Sequence, residues 1–323
     1  METASAEAQG LWVEPGEDFV LTPYLEGICE RALAYLQAGY PVHFSGPAGT
    51  GKSTLAFLLA SKLGRPVMLI HGNDELRGAD LIGSDAGYHR TKIIDNYVHS
   101  VMKTEEEVHK SWSDSRLTTA CKTGSTLVYD EFTRSRAESN NVLLSVLEER
   151  ILSAGLGTRR RNGLVEVHPD FRAIFTSNPQ EYAGVHTMQD ALLDRMITIH
   201  VDYADRQTET AITRARSGLN EEDAEKVVGL VRELRSRRPA KARPSLRASV
   251  MIARVLAQRG ARASHDDPLF MAVCRDVLGA RGGDDVDELL QTLAQPPAPP
   301  VSPPPPARNG RARSSEARAG GVR

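Results

Sequence analysis

Gly46-Pro47-Ala48-Gly49-Thr50-Gly51-Lys52-Ser53 has the spacing G-x-x-x-x-G-K-S. That spacing tolerates few surroundings, because a strand must lead into the loop and a helix must leave it. The glycines allow a tight turn whose backbone N–H groups point inward at a phosphate. Lys52 lies where a helix begins, so the macrodipole already favours an anion there. Its side chain reaches the β- and γ-phosphates of a nucleoside triphosphate, and the Ser53 hydroxyl is placed to ligate Mg2+. Thr54 completes the candidate nucleotide-binding stretch. Both flanks suit the motif: residues 41–45 (PVHFS) form a short strand-like run, and residues 52–63 (KSTLAFLLASKL) are dense in helix formers and stop before Gly64 and Pro66.

The wider chain agrees with a parallel α/β sheet. Besides residues 42–45, short apolar runs occur at 67–70 (VMLI), 126–129 (TLVY), 171–176 (FRAIFT) and 196–201 (MITIHV), with helical stretches between them, notably 138–150. Five such runs separated by helices predict a parallel five-stranded sheet covered on both faces. Thr22-Pro23 opens a helix ahead of the first strand, Thr as N-cap and Pro in the first turn, with Leu25, Ile28, Leu33 and Leu36 at helical spacing and Gly39 closing it. After Asp205 the strands stop. Residues 205–217, 221–237, 245–259, 268–278 and 284–293 all read as helical and predict a smaller all-α domain. From Gln295 the composition changes abruptly: eight of the eleven residues 296–306 are proline, followed by a tail with five arginines and one glutamate. No core is built from such a stretch. The expected organisation is a flexible lead-in over 1–20, a nucleotide-binding core over 21–204, a helical domain over 205–294 and a disordered tail over 295–323.

Composition excludes several classes. Lys and Arg number 40 against 42 Asp and Glu, a net charge of −2, so overall electrostatics gives no case for nucleic acid or a membrane surface. No run approaches the ~18 apolar residues of a bilayer span, and the first residues (METASAEAQG) lack a basic-then-apolar signal. Cys29, Cys121 and Cys274 form no C-x-x-C pair, which favours a reducing compartment over a disulfide framework. A cytoplasmic protein is expected.

A phosphate loop needs a second site for the metal and the water. Asp130-Glu131 follows the apolar run TLVY, so both carboxylates emerge at the carboxyl end of a sheet strand, where ligands bind in such sheets. Asp130 is the candidate to hold Mg2+ through its water shell, and Glu131 to polarise the attacking water as general base. Asn178 ends the run FRAIFTSN, where a neutral amide orients water without competing for its proton; Asn178-Pro179 also suits a turn. Two arginines are candidates to stabilise phosphoryl transfer. Arg195 lies between an apolar helical segment and a strand, where an edge residue reaches a neighbouring subunit's nucleotide. Arg247 lies in the first turn of a helix capped by Ser245, where an arginine opposes the dipole by a few tenths of a kcal/mol and a bound phosphate explains it.

With these motifs in order, the chain resembles an AAA+ ATPase: Lys52 in the P-loop, Asp130 and Glu131 as Walker B, Asn178 as sensor 1, Arg195 as arginine finger and Arg247 as sensor 2 on a helical lid. Arg134 and Arg136, beside the Walker B pair, are alternative candidates for the trans role. Residues 73–116 exceed a plain crossover, and 151–168 look like a β-hairpin with Gly155, Gly157 and Gly163 in its turn. Both insertions are similar to those of the MoxR-type branch. The runs at 69–76 (LIHGNDEL), 129–152 (YDEFTRSRAESNNVLLSVLEERIL) and 171–199 (FRAIFTSNPQEYAGVHTMQDALLDRMITI) resemble the gas vesicle protein N family over about residues 18 to 260. The resemblance implies an Mg-ATP-dependent ATPase required for gas vesicle formation, cytoplasmic and vesicle-associated. It further implies a homo-oligomer that remodels or chaperones other gas vesicle accessory and structural proteins. Two alternatives remain at this point: a MoxR-type activator of a metalloenzyme, and a DNA-acting motor, for which the arginine run 159–161 is the one supporting feature.

Overall fold

The computed structural model describes residues 10–12, 19–95, 103–153, 163–179, 190–279 and 284–294, with the backbone alone at 85–95, 103–111, 284 and 292–294. The expected tail, the arginine run 159–161 and most of the lead-in lie outside the described residues. Within the lead-in, Leu11 pairs antiparallel with Val67, through N–H···O bonds of 2.9 and 2.8 Å.

The chain opens with helix α1 (Pro23–Gln37), strand β1 (Val42–Ser45), helix α2 (Lys52–Lys62) and strand β2 (Val67–His71). Thr22 takes the N-cap position of α1 with Pro23 behind it, but its hydroxyl bonds the Thr208 hydroxyl at 2.8 Å instead of capping. A short helix α3 (Gly78–Ile82) then leads into two long strands, β3 (Gly83–Asp95) and β4 (Lys103–Asp114), followed by α4 (Arg116–Thr123) and β5 (Thr126–Asp130). Strands β3 and β4 pair only with each other, as an antiparallel ribbon. This is what residues 73–116 add beyond a crossover. The helix expected over 138–150 divides into α5 (Ala137–Asn140) and α6 (Val142–Leu147). The expected hairpin follows as β6 (Ile151–Ser153) and β7 (Leu164–Glu166). Strand β8 (Arg172–Ser177), helix α7 (Asp190–Leu193) and strand β9 (Ile197–His200) complete the core.

The central sheet has five strands in the order β2-β5-β8-β1-β9, and every pairing is parallel. Its strands are largely buried because both faces are covered. Side chains alternate across it: Val42, Phe44, Val128 and Ile174 pack with Leu36 of α1 and Leu55 and Leu59 of α2, whereas Leu127, Tyr129, Ala173 and Phe175 pack with Leu117, Phe132 and Leu143 on the other face. Helices α8 (Arg206–Ser217), α9 (Glu221–Arg237), α10 (Leu246–Arg259), α11 (Pro268–Gly279) and α12 (Asp284–Ala294) follow. Together α9 to α12 enclose a core of their own, built around Val231, Leu234, Ile252, Leu256, Cys274 and Leu290. The fold is thus a parallel five-stranded α/β core followed by a small helical unit. No helix among the described residues is long and apolar enough to cross a membrane.

One polar group lies at the centre of the sheet. His43, on β1, is 1% exposed and bonds Ser177 Oγ on β8 at 2.8 Å and Thr198 Oγ1 on β9 at 3.0 Å. Burial, helped by the nearby His200 and Lys52 charges, lowers its pKa from 6.5 to about 4. The unfolded chain therefore takes up a proton near pH 6.5 that the folded chain refuses until about pH 4, so stability is present above that window and declines as pH falls through it. Urea unfolding at pH 7.5 and pH 5 should show a loss of about 2 kcal/mol from this group, and His43→Gln should flatten the difference by that amount.

Candidate functional site

The loop between β1 and α2 is shaped by its own polar groups. Lys52, 8% exposed, donates to the carbonyls of Gly46 at 2.9 Å and Pro47 at 2.6 Å, and the Thr50 hydroxyl donates to Pro47 O at 3.0 Å. Gly49 (φ +75°) and Gly51 (φ +91°) take the left-handed conformation that suits glycine. At Gly49 a second constraint acts from outside the loop: a Cβ there would lie 2.5 Å from Ser245 Oγ and 2.6 Å from Ser245 Cβ. The first turn of α10 thus rests directly on the loop. This contact explains why Ser245, although it takes the N-cap position, makes no side-chain cap bond to α10.

Opposite the loop, β5 delivers Asp130. Its Oδ1 accepts hydrogen bonds from Ser53 Oγ at 2.7 Å and Thr176 Oγ1 at 2.5 Å. The same Thr176 hydroxyl accepts the Glu131 N–H at 2.9 Å, so one group on β8 fixes both acidic residues. Glu131 has φ +53°, a left-handed backbone that costs a non-glycine residue about 1–3 kcal/mol and is held only by its surroundings. Those surroundings are buried. Phe132 packs in the core, and the Tyr129 hydroxyl bonds Ser135 Oγ at 2.8 Å and Asn140 Oδ1 at 3.0 Å. The Glu131 carboxylate itself is half-exposed and pairs with Arg134 Nη1 at 2.7 Å.

A cavity of about 420 Å³ joins these groups to the lid. One end is polar, with residues 48–54, Glu131, Thr176, Asn178 and Arg247. The other is largely apolar, with Phe19, Val20, Tyr203, Ile212, Val250 and Met251. The volume and the split between polar and apolar walls suit a nucleotide. The Ser53 and Asp130 oxygens, bonded at 2.7 Å, are hard donors of the kind that Mg2+ takes.

The family pattern described as AAA domain (dynein-related subfamily) matches residues 41–196. A protein of Ancylobacter aquaticus named gas vesicle ATPase GvpN is 53% identical over 267 residues, covering 83% of this chain and 74% of that protein. The chain belongs to the GvpN family of AAA+ ATPases. A GvpN of Haloferax mediterranei is 42% identical over 84% of this chain and 78% of its own length. Among solved structures, a single-substitution variant of Thermotoga maritima RuvB aligns with a TM-score of 0.52 over 83% of this chain and 75% of that one, at 17% identity. That likeness shows the fold alone.

In this GvpN-family chain the structure brings Lys52, Ser53, Glu131, Asn178 and Arg247 to one cavity, with Asp130 bonded to Ser53 at its wall. Gly46 and Pro47 lie behind it, where their carbonyls take the Lys52 ammonium. Arg195 is elsewhere. It follows α7, its Nε lies 2.7 Å from Glu148 Oε2 with Nη2 on the same oxygen, and its Nη1 donates to Ala191 O at 2.6 Å. Arg136 is exposed on the segment after the acidic pair. Sequence reasoning missed Thr176, although it stands two residues before Asn178 in a quoted motif. It also missed the apolar end of the cavity, whose walls come from segments near 19, 203, 212 and 250 that share no motif.

The tight approach at Gly49 has a measurable consequence. Gly49→Ala should lower stability by about 1–3 kcal/mol, from left-handed strain and the clash with Ser245. Adding Ser245→Gly should restore the steric part alone, and chemical denaturation of both variants checks this.

Proposed function

We propose that this chain hydrolyses Mg-ATP to remodel or chaperone gas vesicle proteins during vesicle formation. In this reading it is a homo-oligomer whose active sites are shared between protomers, working in the cytoplasm and at the vesicle. The observation that carries the reading is the convergence of the phosphate loop, the Asp130-Glu131 pair, Asn178 and the lid's Arg247 on one cavity, in a chain 53% identical to a protein named gas vesicle ATPase GvpN.

The residues divide the chemistry as follows. Residues 46–54 cradle the phosphates with backbone N–H groups and the Lys52 ammonium. Ser53 and Asp130 hold Mg2+, which neutralises charge on the phosphate oxygens when bound. Glu131 takes the proton of the attacking water, a role worth about 10²–10⁴ in rate, and Asn178 orients that water. For Glu131 to act, its pair with Arg134 must part. The two side chains are 47% and 46% exposed, and such a surface pair holds only about 0–1 kcal/mol, so the barrier is small. Arg247 approaches the γ-phosphate from the chain's own lid, and Arg195, released from Glu148, reaches the nucleotide of the neighbouring protomer. Delivery of such an arginine is worth about 10³–10⁵ in rate.

Three measurements check this. Lys52→Ala should abolish binding in a fluorescent-nucleotide titration, whereas Glu131→Gln should bind ATP normally and turn it over about 10²–10⁴-fold more slowly. Wild-type turnover by Glu131→Gln sinks the base assignment. Arg195→Ala should be inactive alone yet recover activity when mixed with Glu131→Gln, since mixed assemblies contain sites with both groups intact; no recovery argues against a trans role. A pull-down with Glu131→Gln in ATP should retain gas vesicle accessory or structural proteins, and their absence refutes the remodelling role.

A further inference from the structure

Helix α9 contributes no residue to the nucleotide cavity, yet its Arg235 touches three of the segments that do. The guanidinium is 8% exposed. Its Nε donates to Pro244 O at 2.9 Å, immediately before the Ser245 N-cap of α10. Its Nη1 donates to Glu209 Oε1 at 2.7 Å, and its Cζ lies 4.1 Å from the centre of the Tyr203 ring. Glu209 and Tyr203 both line the cavity, as does Arg247, two residues beyond the Ser245 that rests on Gly49.

Stability gives no reason for this choice of residue. Nη2 of Arg235 is buried and has no hydrogen-bond partner among the described residues, which costs free energy. Glu209 keeps a second partner, Arg232 Nη1, at 3.0 Å. Replacing a whole buried ion set by apolar side chains of similar volume is often neutral or stabilising, although removing one partner alone is costly. What an apolar side chain cannot do is hold two acceptors and a ring in fixed mutual geometry. Lysine cannot either, having a point charge where arginine has a planar fork.

We propose that Arg235 is a positioning residue of the ATPase: it sets the first turn of α10, and with it Arg247, against the phosphate loop, and it fixes Tyr203 and Glu209 as walls of the same cavity. The proposal rests on the reading of Arg247 as the lid arginine that meets the γ-phosphate. Misplacing a catalytic group by about 1 Å costs on the order of 10²-fold in rate.

The test uses full-length protein and four variants: Arg235→Met, Arg235→Lys, Arg247→Ala and the double variant Arg235→Met with Arg247→Ala. Thermal melting, steady-state ATPase rates and direct titration with a fluorescent ATP analogue are measured for each. Arg235→Met should fold but melt below wild type, since Glu209 loses one of its two buried partners, lose about 10²-fold in kcat and bind nucleotide more weakly. Because residues acting as a unit are non-additive, the double variant should have a kcat no lower than the worse single variant. Arg235→Lys should fold and show the same loss, and it decides the matter if Arg235→Met does not fold. Wild-type kcat and affinity in Arg235→Met, multiplied losses in the double variant, or full rescue by lysine each overturn the proposal. A wild-type kcat for Arg247→Ala alone refutes the role of Arg247 instead. Arg235 is then judged on nucleotide affinity: weaker binding by Arg235→Met upholds its hold on Tyr203 and Glu209, and unchanged binding overturns it.

Discussion

The site hangs on a single carboxylate oxygen. Asp130 Oδ1 accepts two hydroxyl hydrogen bonds, one from the first turn of α2 and one from the end of β8, so three separate elements meet at one atom. Hydrogen bonds to a charged acceptor are worth about 1.5–3 kcal/mol each, enough to fix the ends of β5 and β8 and the start of α2 relative to each other. The sheet prepares the meeting. Tyr129 lies level with Phe175, and Ser45 with Ser177, so the carboxyl ends of β1, β5 and β8 arrive side by side. A slip of one residue in either pairing would turn Thr176 to the opposite face and break the junction.

Much of this arrangement is legible in the sequence, for a physical reason. A strand buried on both faces must be apolar along its length, so 126–129 and 171–176 announce themselves without an alternating pattern. Surface helices of the lid carry a clear 3.6-residue period, and Asn220 and Asp205 cap α9 and α8 through their side chains. The β3–β4 ribbon was opaque because it belongs to no larger sheet: Thr91, Lys92 and Ile93 stand opposite Glu107, Glu106 and Glu105, without the apolar rhythm that one buried face would impose. The break between α5 and α6 falls at Asn141, beside the weak helix formers Ser139 and Asn140.

Side-chain partners were the least legible feature. Nothing in the order of residues shows that Arg195 meets Glu148 or that Glu131 meets Arg134, because ion pairs depend on where elements cross. The two cores also differ in kind. The sheet core is held by aromatic and aliphatic packing around Phe44, Phe132 and Phe175. The lid buries charge: the carboxylate of Asp223, fully buried, accepts from Asn220 Nδ2 at 2.7 Å and from the Ala263 N–H at 3.2 Å, and Glu209 takes two arginines. Removing one partner from such a buried set costs about 3–5 kcal/mol, so the lid holds its shape through geometry where the core holds it through volume.

The segment that connects core to lid runs from Val201 to Asp205, and its middle residues, Tyr203 and Ala204, are themselves walls of the nucleotide cavity. The hinge and the ligand therefore share atoms. In thermodynamic terms the lid angle and the nucleotide are linked variables: whatever factor ATP contributes to the population of one lid orientation, any partner that grips that orientation returns to the affinity for ATP. Gripping the lid and loading the nucleotide are two views of one equilibrium.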